Sequence, residues 1–196
     1  MAGEETVDWE ERYRGGETPW ERGALHPAFT LWAEAGAFAD MRSVLVPLAG
    51  RSPEPLAFAE RGIRPTIIDL APTALAEQRQ HFAAAGLEAE FILGDILAHP
   101  LAGQWDAIWD QTAMCALPPA HWAPYCARLA AVLRPGGSLF ALFMQTDRPG
   151  GPPFHQDVGQ MRLLFPDTQW QWPQKASGRF PHPAGLVELG YRLIRR

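Results

Sequence analysis

The chain has 196 residues, enough for one domain with a full hydrophobic core. Hydrophobic residues make up 47% and charged residues 20%, the balance of a globular protein. A net charge of -5 leaves no basic footprint for nucleic acid or an anionic membrane surface. No apolar run approaches the length of a membrane span, and the acidic N-terminus lacks the apolar core of a signal peptide. Two cysteines, Cys115 and Cys126, suggest neither a disulfide framework nor a zinc site, and fit a reducing cytoplasm. The 8 tryptophans and 19 prolines are many for this length; such tryptophans commonly wall a pocket or an interface.

Residues 1–30 read as an extension in front of the main fold. Val7 to Tyr13 suits a short amphipathic helix with Trp9 and Tyr13 on one face. Gly15 to Trp20 is a loop by its glycine and proline content, and a second helix is expected from Pro27 to about Phe38. The aromatics Trp9, Tyr13 and Trp20 either anchor this arm to the core or form a lid that excludes water from a ligand.

From residue 43 the pattern alternates between strand and helix. Ser43-Val44-Leu45-Val46 is an apolar, β-branched run that breaks at Pro47 and reaches a turn at Gly50. A helix over 53–61 precedes a strand over 65–69 that ends in Asp69 and is followed by Leu70. In an open α/β sheet, a glycine turn after the first strand and an acid after the second face the cofactor crevice, where the acid accepts ribose hydroxyls. The same pair also fits an ordinary β-α turn with Asp69 capping a helix. A helix over 72–85 should stop at Gly86, and Glu90 to Leu93 forms a strand that ends at Gly94-Asp95. Trp105 to Trp109 is a strand ending at Asp110-Gln111. A helix over 119–133 stops at Arg134-Pro135-Gly136-Gly137, before a strand over 138–145. This rhythm predicts a doubly wound, mostly parallel sheet.

The last third differs. A loop, Pro149 to Phe154, leads to a short helix over about 157–165. Gln169 to Trp172 and Leu186 to Leu193 alternate as antiparallel strands with one solvated face. A terminal antiparallel hairpin and a missing G-x-G-x-x-G disfavour an NAD-binding oxidoreductase.

Four stretches together carry a family resemblance. They are Trp9-Glu-Glu-Arg-Tyr13 with Gly16-Glu-Thr-Pro-Trp-Glu21, Val44-Leu-Val-Pro-Leu-Ala-Gly50, Trp109-Asp-Gln-Thr-Ala-Met-Cys-Ala-Leu-Pro-Pro119 and Gly150-Gly-Pro-Pro-Phe154. In order and spacing the chain resembles a class I S-adenosylmethionine-dependent methyltransferase of the thiopurine S-methyltransferase family, in its thiol and halide methyltransferase branch. The resemblance implies a seven-stranded sheet with an antiparallel C-terminal hairpin, and S-adenosylmethionine as cofactor with S-adenosylhomocysteine as product. It matches Trp9, Tyr13 and Trp20 to aromatics that close over the cofactor. Leu48 and Gly50 match the turn beneath its methionine part. Asp69 with Leu70 matches the ribose-binding segment, and Asp95 with Ile96 the segment lining the adenine. Gln111 matches a position facing both the sulfonium and the acceptor. The thiopurine enzymes carry Arg there and plant halide/thiol enzymes Tyr; a neutral Gln stabilises a thiolate less, which disfavours thiopurines as substrates. Ala49 replaces a common Cys.

The implied reaction is methyl transfer to a small-molecule thiol or hydrosulfide. A thiol titrates near about 8.5, so a thiolate fraction exists without a strong base. The alternatives are a halide, metalloid or oxygen acceptor, or a binding protein without catalysis. Among candidate bases, His155 follows the Gly-Pro-Pro-Phe loop and either faces the acceptor or faces solvent. Asp110 lies at a strand end and either joins the chemistry or caps the loop. Cys115 reads as a buried inert thiol, and His26 as a helix-start residue. His99, His121 and His182 lack metal-ligand spacing, so no metal is expected. A monomer is expected.

Overall fold

The computed structural model describes residues 7–196. Its elements are α1 (Trp9–Gly15), α2 (Pro27–Glu34), β1 (Ser43–Pro47), α3 (Glu54–Ala59), β2 (Arg64–Asp69), α4 (Pro72–Ala85), β3 (Glu90–Leu93), β4 (Trp105–Asp110), α5 (Trp122–Val132), β5 (Leu133–Gln145), α6 (Val158–Leu164), β6 (Trp170–Gln171), β7 (Gly178–Pro181) and β8 (Val187–Arg195). Short 3-10 turns at Met114–Ala116 and Pro119–His121 precede α5. The expected alternation is present throughout.

The sheet runs β3-β2-β1-β4-β5-β8-β6, with β7 also paired to β8. The first five of these are mutually parallel, and β8 runs antiparallel between β5 and the two short strands. Among the described residues the sheet therefore has eight strands, one more than expected. The extra strand is β7, whose Gly-Arg-Phe-Pro sequence carries no apolar alternation. It exists because the outer edge of β8 is divided, taking β7 at residues 187–190 and β6 at 194–195.

Central strands are buried on both faces, which explains their continuous apolar runs. Val44, Val46, Ile67, Ala107, Trp109 and Phe140 face α2, α3 and α4. Leu45, Ile108, Leu139 and Phe143 face α5 and α6. Aromatic edges lock the first layer: Phe29 meets Phe58 at 4.8 Å and Trp109 at 5.5 Å, each close to a T-shape. Gly86 ends α4 as expected, in a left-handed conformation with its N–H turned back to Phe82 and Ala83. Among the described residues no helix is long and apolar enough to cross a membrane, and no cluster of three potential ligands could hold a metal.

Candidate active site

The parallel strands end together on one edge of the sheet, where the following helices begin. Past β1 the chain turns through Leu48 and Gly50, both at positive φ (47° and 52°). The Gly50 N–H donates to Asp69 Oδ2 at 2.7 Å, and the Ala71 N–H to Asp69 Oδ1 at 2.8 Å. The turn and the acid are thus one unit, although nineteen residues separate them. Asp69 is only 6% exposed. Burial raises its carboxyl above the ordinary range, against the opposing pull of the Ala71 and Gly50 N–H groups. Gln78 braces the turn from below, donating to the carbonyls of Gly50 at 3.1 Å and Ser52 at 2.8 Å.

The arm lies directly over this unit. Asp8 caps α1 by accepting from the Glu11 N–H at 2.9 Å. Glu10 then accepts from the Thr73 N–H (3.0 Å) and hydroxyl (2.6 Å) at the start of α4. Arg51 donates to the Tyr13 carbonyl and to Glu77, and its guanidinium lies 5.1 Å from the centre of the Tyr13 ring. Tyr13 is buried, with Trp20 edge-on at 5.9 Å and Trp9 edge-on to Trp20 at 5.5 Å. The Tyr13 hydroxyl comes so close to Gly50 that a Cβ there would lie 2.0 Å from it. Burial and the nearby Asp69 raise the Tyr13 phenol. The three arm aromatics are therefore one cluster at the mouth of the crevice.

On the far side of Asp69, the Gly94 N–H donates to the Asp69 carbonyl at 2.9 Å. Asp95 Oδ1 accepts from the Leu97 N–H at 2.8 Å, and Ile96 is buried. Leu70 is 52% exposed, an apolar side chain beside the acid.

After β4 and β5, two candidate bases are already committed. Asp110 points into the protein, accepting from the Tyr125 hydroxyl at 3.0 Å and the Met114 N–H at 3.2 Å. Burial pushes its carboxyl up to about 6. Of the two readings the sequence leaves open for Asp110, this geometry fits the loop anchor rather than a base in the crevice. His155 Nδ1 accepts from the N–H groups of Thr146 (3.1 Å) and Asp147 (3.2 Å). The neutral ring then carries its proton on Nε2, leaving a donor and no free lone pair. That argues against the base role the sequence leaves open for His155. Gln111 is half-buried, with Oε1 accepting from Trp109 Nε1 at 2.9 Å, so its amide NH2 remains available. Cys115 is buried and its thiol is raised by burial, as the inert reading expected.

A buried polar network went undetected in the sequence. Glu54, at the start of α3, accepts from the His26 N–H at 2.7 Å. His26 Nδ1 accepts from the Ala28 N–H at 3.0 Å, so its Nε2–H donates to Glu188 Oε2 at 2.9 Å. Arg22 donates to the same Glu188 oxygen at 2.8 Å. Glu54 Oε2, Glu188 Oε1 and His182 Nε2 are buried without partners. His26 does start its helix as expected, but it also ties the arm to the last strand. Its partner Glu188 lies 162 residues away, and no local pattern marks such a pair.

A family model described as thiopurine S-methyltransferase matches residues 4–178. The chain belongs to the thiopurine S-methyltransferase family. It is 29% identical over 162 residues to a probable thiol methyltransferase 2 of Arabidopsis thaliana, covering 81% of this chain and 71% of that protein. It is 28% identical over 184 residues to a thiopurine S-methyltransferase of Xanthomonas campestris pv. campestris strain 8004, covering 85% and 84% respectively. Among solved structures, the 1,6-didemethyltoxoflavin-N1-methyltransferase of Burkholderia thailandensis shares the fold, with a TM-score of 0.76, 24% identity and coverage of 96% and 85%. A second structure, from work on converting a disulfide bond into a thioacetal group in echinomycin biosynthesis, has a TM-score of 0.78 at 21% identity, covering 95% and 90%. This family member is a class I methyltransferase that uses S-adenosylmethionine.

Proposed function

We propose that the chain methylates a small-molecule thiol or hydrosulfide, releasing S-adenosylhomocysteine. One observation carries the choice of acceptor: neither candidate base at this end of the sheet is free. Asp110 is turned inward, and the Nδ1 lone pair of His155 is held by two backbone N–H groups. An acceptor that ionises unaided near neutral pH suits such a site, and a thiol does so at about 8.5. The names of the relatives, a probable thiol methyltransferase and thiopurine and thiocyanate methyltransferases, agree with a sulfur nucleophile.

Two observations support the fit of the methyl donor to these residues. Gly50 is bare where a Cβ would lie 2.0 Å from the Tyr13 hydroxyl, so the turn lets a group lie directly against its backbone. Each Asp69 oxygen accepts one backbone N–H and retains a second lone pair for a ribose hydroxyl. In this reading Leu48 and Gly50 support the methionine part, Asp69 holds the ribose, and Leu70, Asp95 and Ile96 line the adenine. When bound, S-adenosylmethionine supplies a methyl carbon activated by its sulfonium. The chain's task is to hold the thiolate sulfur in line at about 3 Å and keep water out. Trp9, Tyr13 and Trp20 exclude water; Tyr13 must lift from Gly50 before the ribose can reach Asp69. The Gln111 amide donates to the thiolate, a weaker hold than a guanidinium gives. The chain acts as one domain and as a cytoplasmic monomer, without nucleic acid.

The test is turnover with S-adenosylmethionine and a panel of hydrosulfide, small alkyl and aryl thiols, iodide, a phenol and a thiopurine, read as S-adenosylhomocysteine release. Thiols or hydrosulfide should turn over, with rates rising tenfold per pH unit below the acceptor's pKa. Turnover of the phenol alone, or of no acceptor, overturns the reading.

A further inference from the structure

At the opposite end of the sheet, away from the crevice, lies a cavity of about 300 Å3. That size is at the lower end for small-molecule sites. Its walls include Asp40, Asp106, Arg134, Gly136, Ser138 and Arg192. They come from the turn before β1, the start of β4, the start of β5 and the far end of β8, so rigid elements hold most of them in place.

The charges in this cavity are not equivalent. Asp106 is saturated: Oδ2 accepts from the N–H groups of Arg42 and Ser43 and from the Ser43 hydroxyl, and Oδ1 from Arg134 Nε at 2.6 Å. Those contacts hold its carboxyl below the usual range despite partial burial. Arg192 has no such counterion. Its Nε donates to the Ser138 hydroxyl at 3.0 Å, and its guanidinium lies over the Phe140 ring at 5.6 Å. It forms no ion pair among the described residues, and burial lowers its pKa. A half-buried cation held only by a hydroxyl and an aromatic face leaves N–H donors unused at its two terminal nitrogens.

We propose that this cavity binds a small, singly charged oxyanion group, a carboxylate or a monoanionic phosphate, through the fork of Arg192 with help from Arg134. A planar guanidinium matches two oxygens of such a group. Asp40 on the rim makes no ion pair among the described residues, and its negative charge disfavours a dianion. The site shares no residue with the candidate active site, so its occupant is not the methyl donor or acceptor.

The test is nuclear magnetic resonance of the 15N-labelled full chain, titrated separately with inorganic phosphate near pH 6 and with acetate, at ionic strength matched by sodium chloride. The expected result is a saturable shift of the Gly136, Gly137 and Ser138 amides with at least one anion; the responding anion distinguishes phosphate from carboxylate. Arg192→Met should weaken it at least about tenfold, while Arg148→Met, on an exposed loop, leaves it unchanged. If Arg192→Met fails to fold, Arg192→Lys serves, since it keeps the charge but loses the fork and should still bind several-fold more weakly. The proposal is overturned if the wild-type shifts do not saturate with either anion, or if the Arg192 variant binds as tightly as wild type.

Discussion

Replacing Glu54 by Gln should stabilise the protein increasingly as pH rises from about 4.5 to about 7, and leave it nearly unchanged below that range. Glu54 is fully buried, with Oε1 accepting from the His26 N–H and Oε2 without a partner. Burial dominates the opposing backbone hydrogen bonds and Arg22, and pushes the carboxyl from an ordinary 4.5 up to about 7. The folded state therefore holds this proton more tightly than the unfolded chain does. Stability from Glu54 is fully present below about 4.5 and falls as pH rises through about 7. At about 1.4 kcal/mol per pH unit, the rise from 4.5 to about 7 corresponds to about 3–4 kcal/mol. Gln has the shape of the protonated acid, keeps an oxygen for the His26 N–H and cannot ionise. Asp110, also raised, is present in both proteins and cancels in the difference. Urea unfolding of both proteins at pH 4.5, 6, 7 and 8 measures the effect. The stability difference should grow with pH and level off at up to about 3–4 kcal/mol in favour of the variant. Parallel pH profiles would refute the argument that Glu54 is buried as a protonated acid.

Three further substitutions test the crevice. Gly50→Ala places a Cβ 2.0 Å from the Tyr13 hydroxyl at a positive φ. It should cost about 1–2 kcal/mol from the backbone alone and displace the arm. Altered tryptophan fluorescence and weaker S-adenosylmethionine binding should follow together; unchanged values of both would mean the arm does not sit on the turn. Asp69→Ala should weaken cofactor binding by about 1.5–3 kcal/mol, roughly 10- to 100-fold by calorimetry, and unaltered affinity would place the ribose elsewhere. For His155→Ala, the pH dependence of turnover should still follow the thiol, because Nδ1 is held by backbone N–H groups. A lost or shifted limb between pH 6 and 7 would restore His155 as a base.

Most of the fold was legible because buried parallel strands announce themselves as continuous apolar runs. The Gly50–Asp69 pairing was legible because strand ends in this architecture converge on one edge. Boundaries were less so. β5 begins at Leu133, since Arg134-Pro135-Gly136-Gly137 continues as irregular strand rather than as a break after the helix. α2 stops at Glu34, four residues short of Phe38, which packs in the core outside the helix. The roles of Asp110 and His155 stayed open in the sequence because position along the chain does not reveal which way a side chain turns or whether its lone pair is engaged. The network of Arg22, His26, Glu54 and Glu188 was invisible because it is assembled from segments far apart in the chain.

That network also constrains the order of assembly. Arg22 and His26, at the root of the arm, find their shared carboxylate on Glu188 in the last strand. During synthesis the parallel half of the sheet can form while β8 is still unmade, because β1 to β4 pair only with one another and with one edge of β5. The buried His26 N–H has Glu54 as an early partner and its Nδ1 has the Ala28 N–H, but its Nε2–H and the Arg22 guanidinium must wait for Glu188 on β8. The arm's root is then fastened only as the sheet gains its final strands, so a nascent chain cannot hold a fully fastened crevice before its C-terminal segment is made.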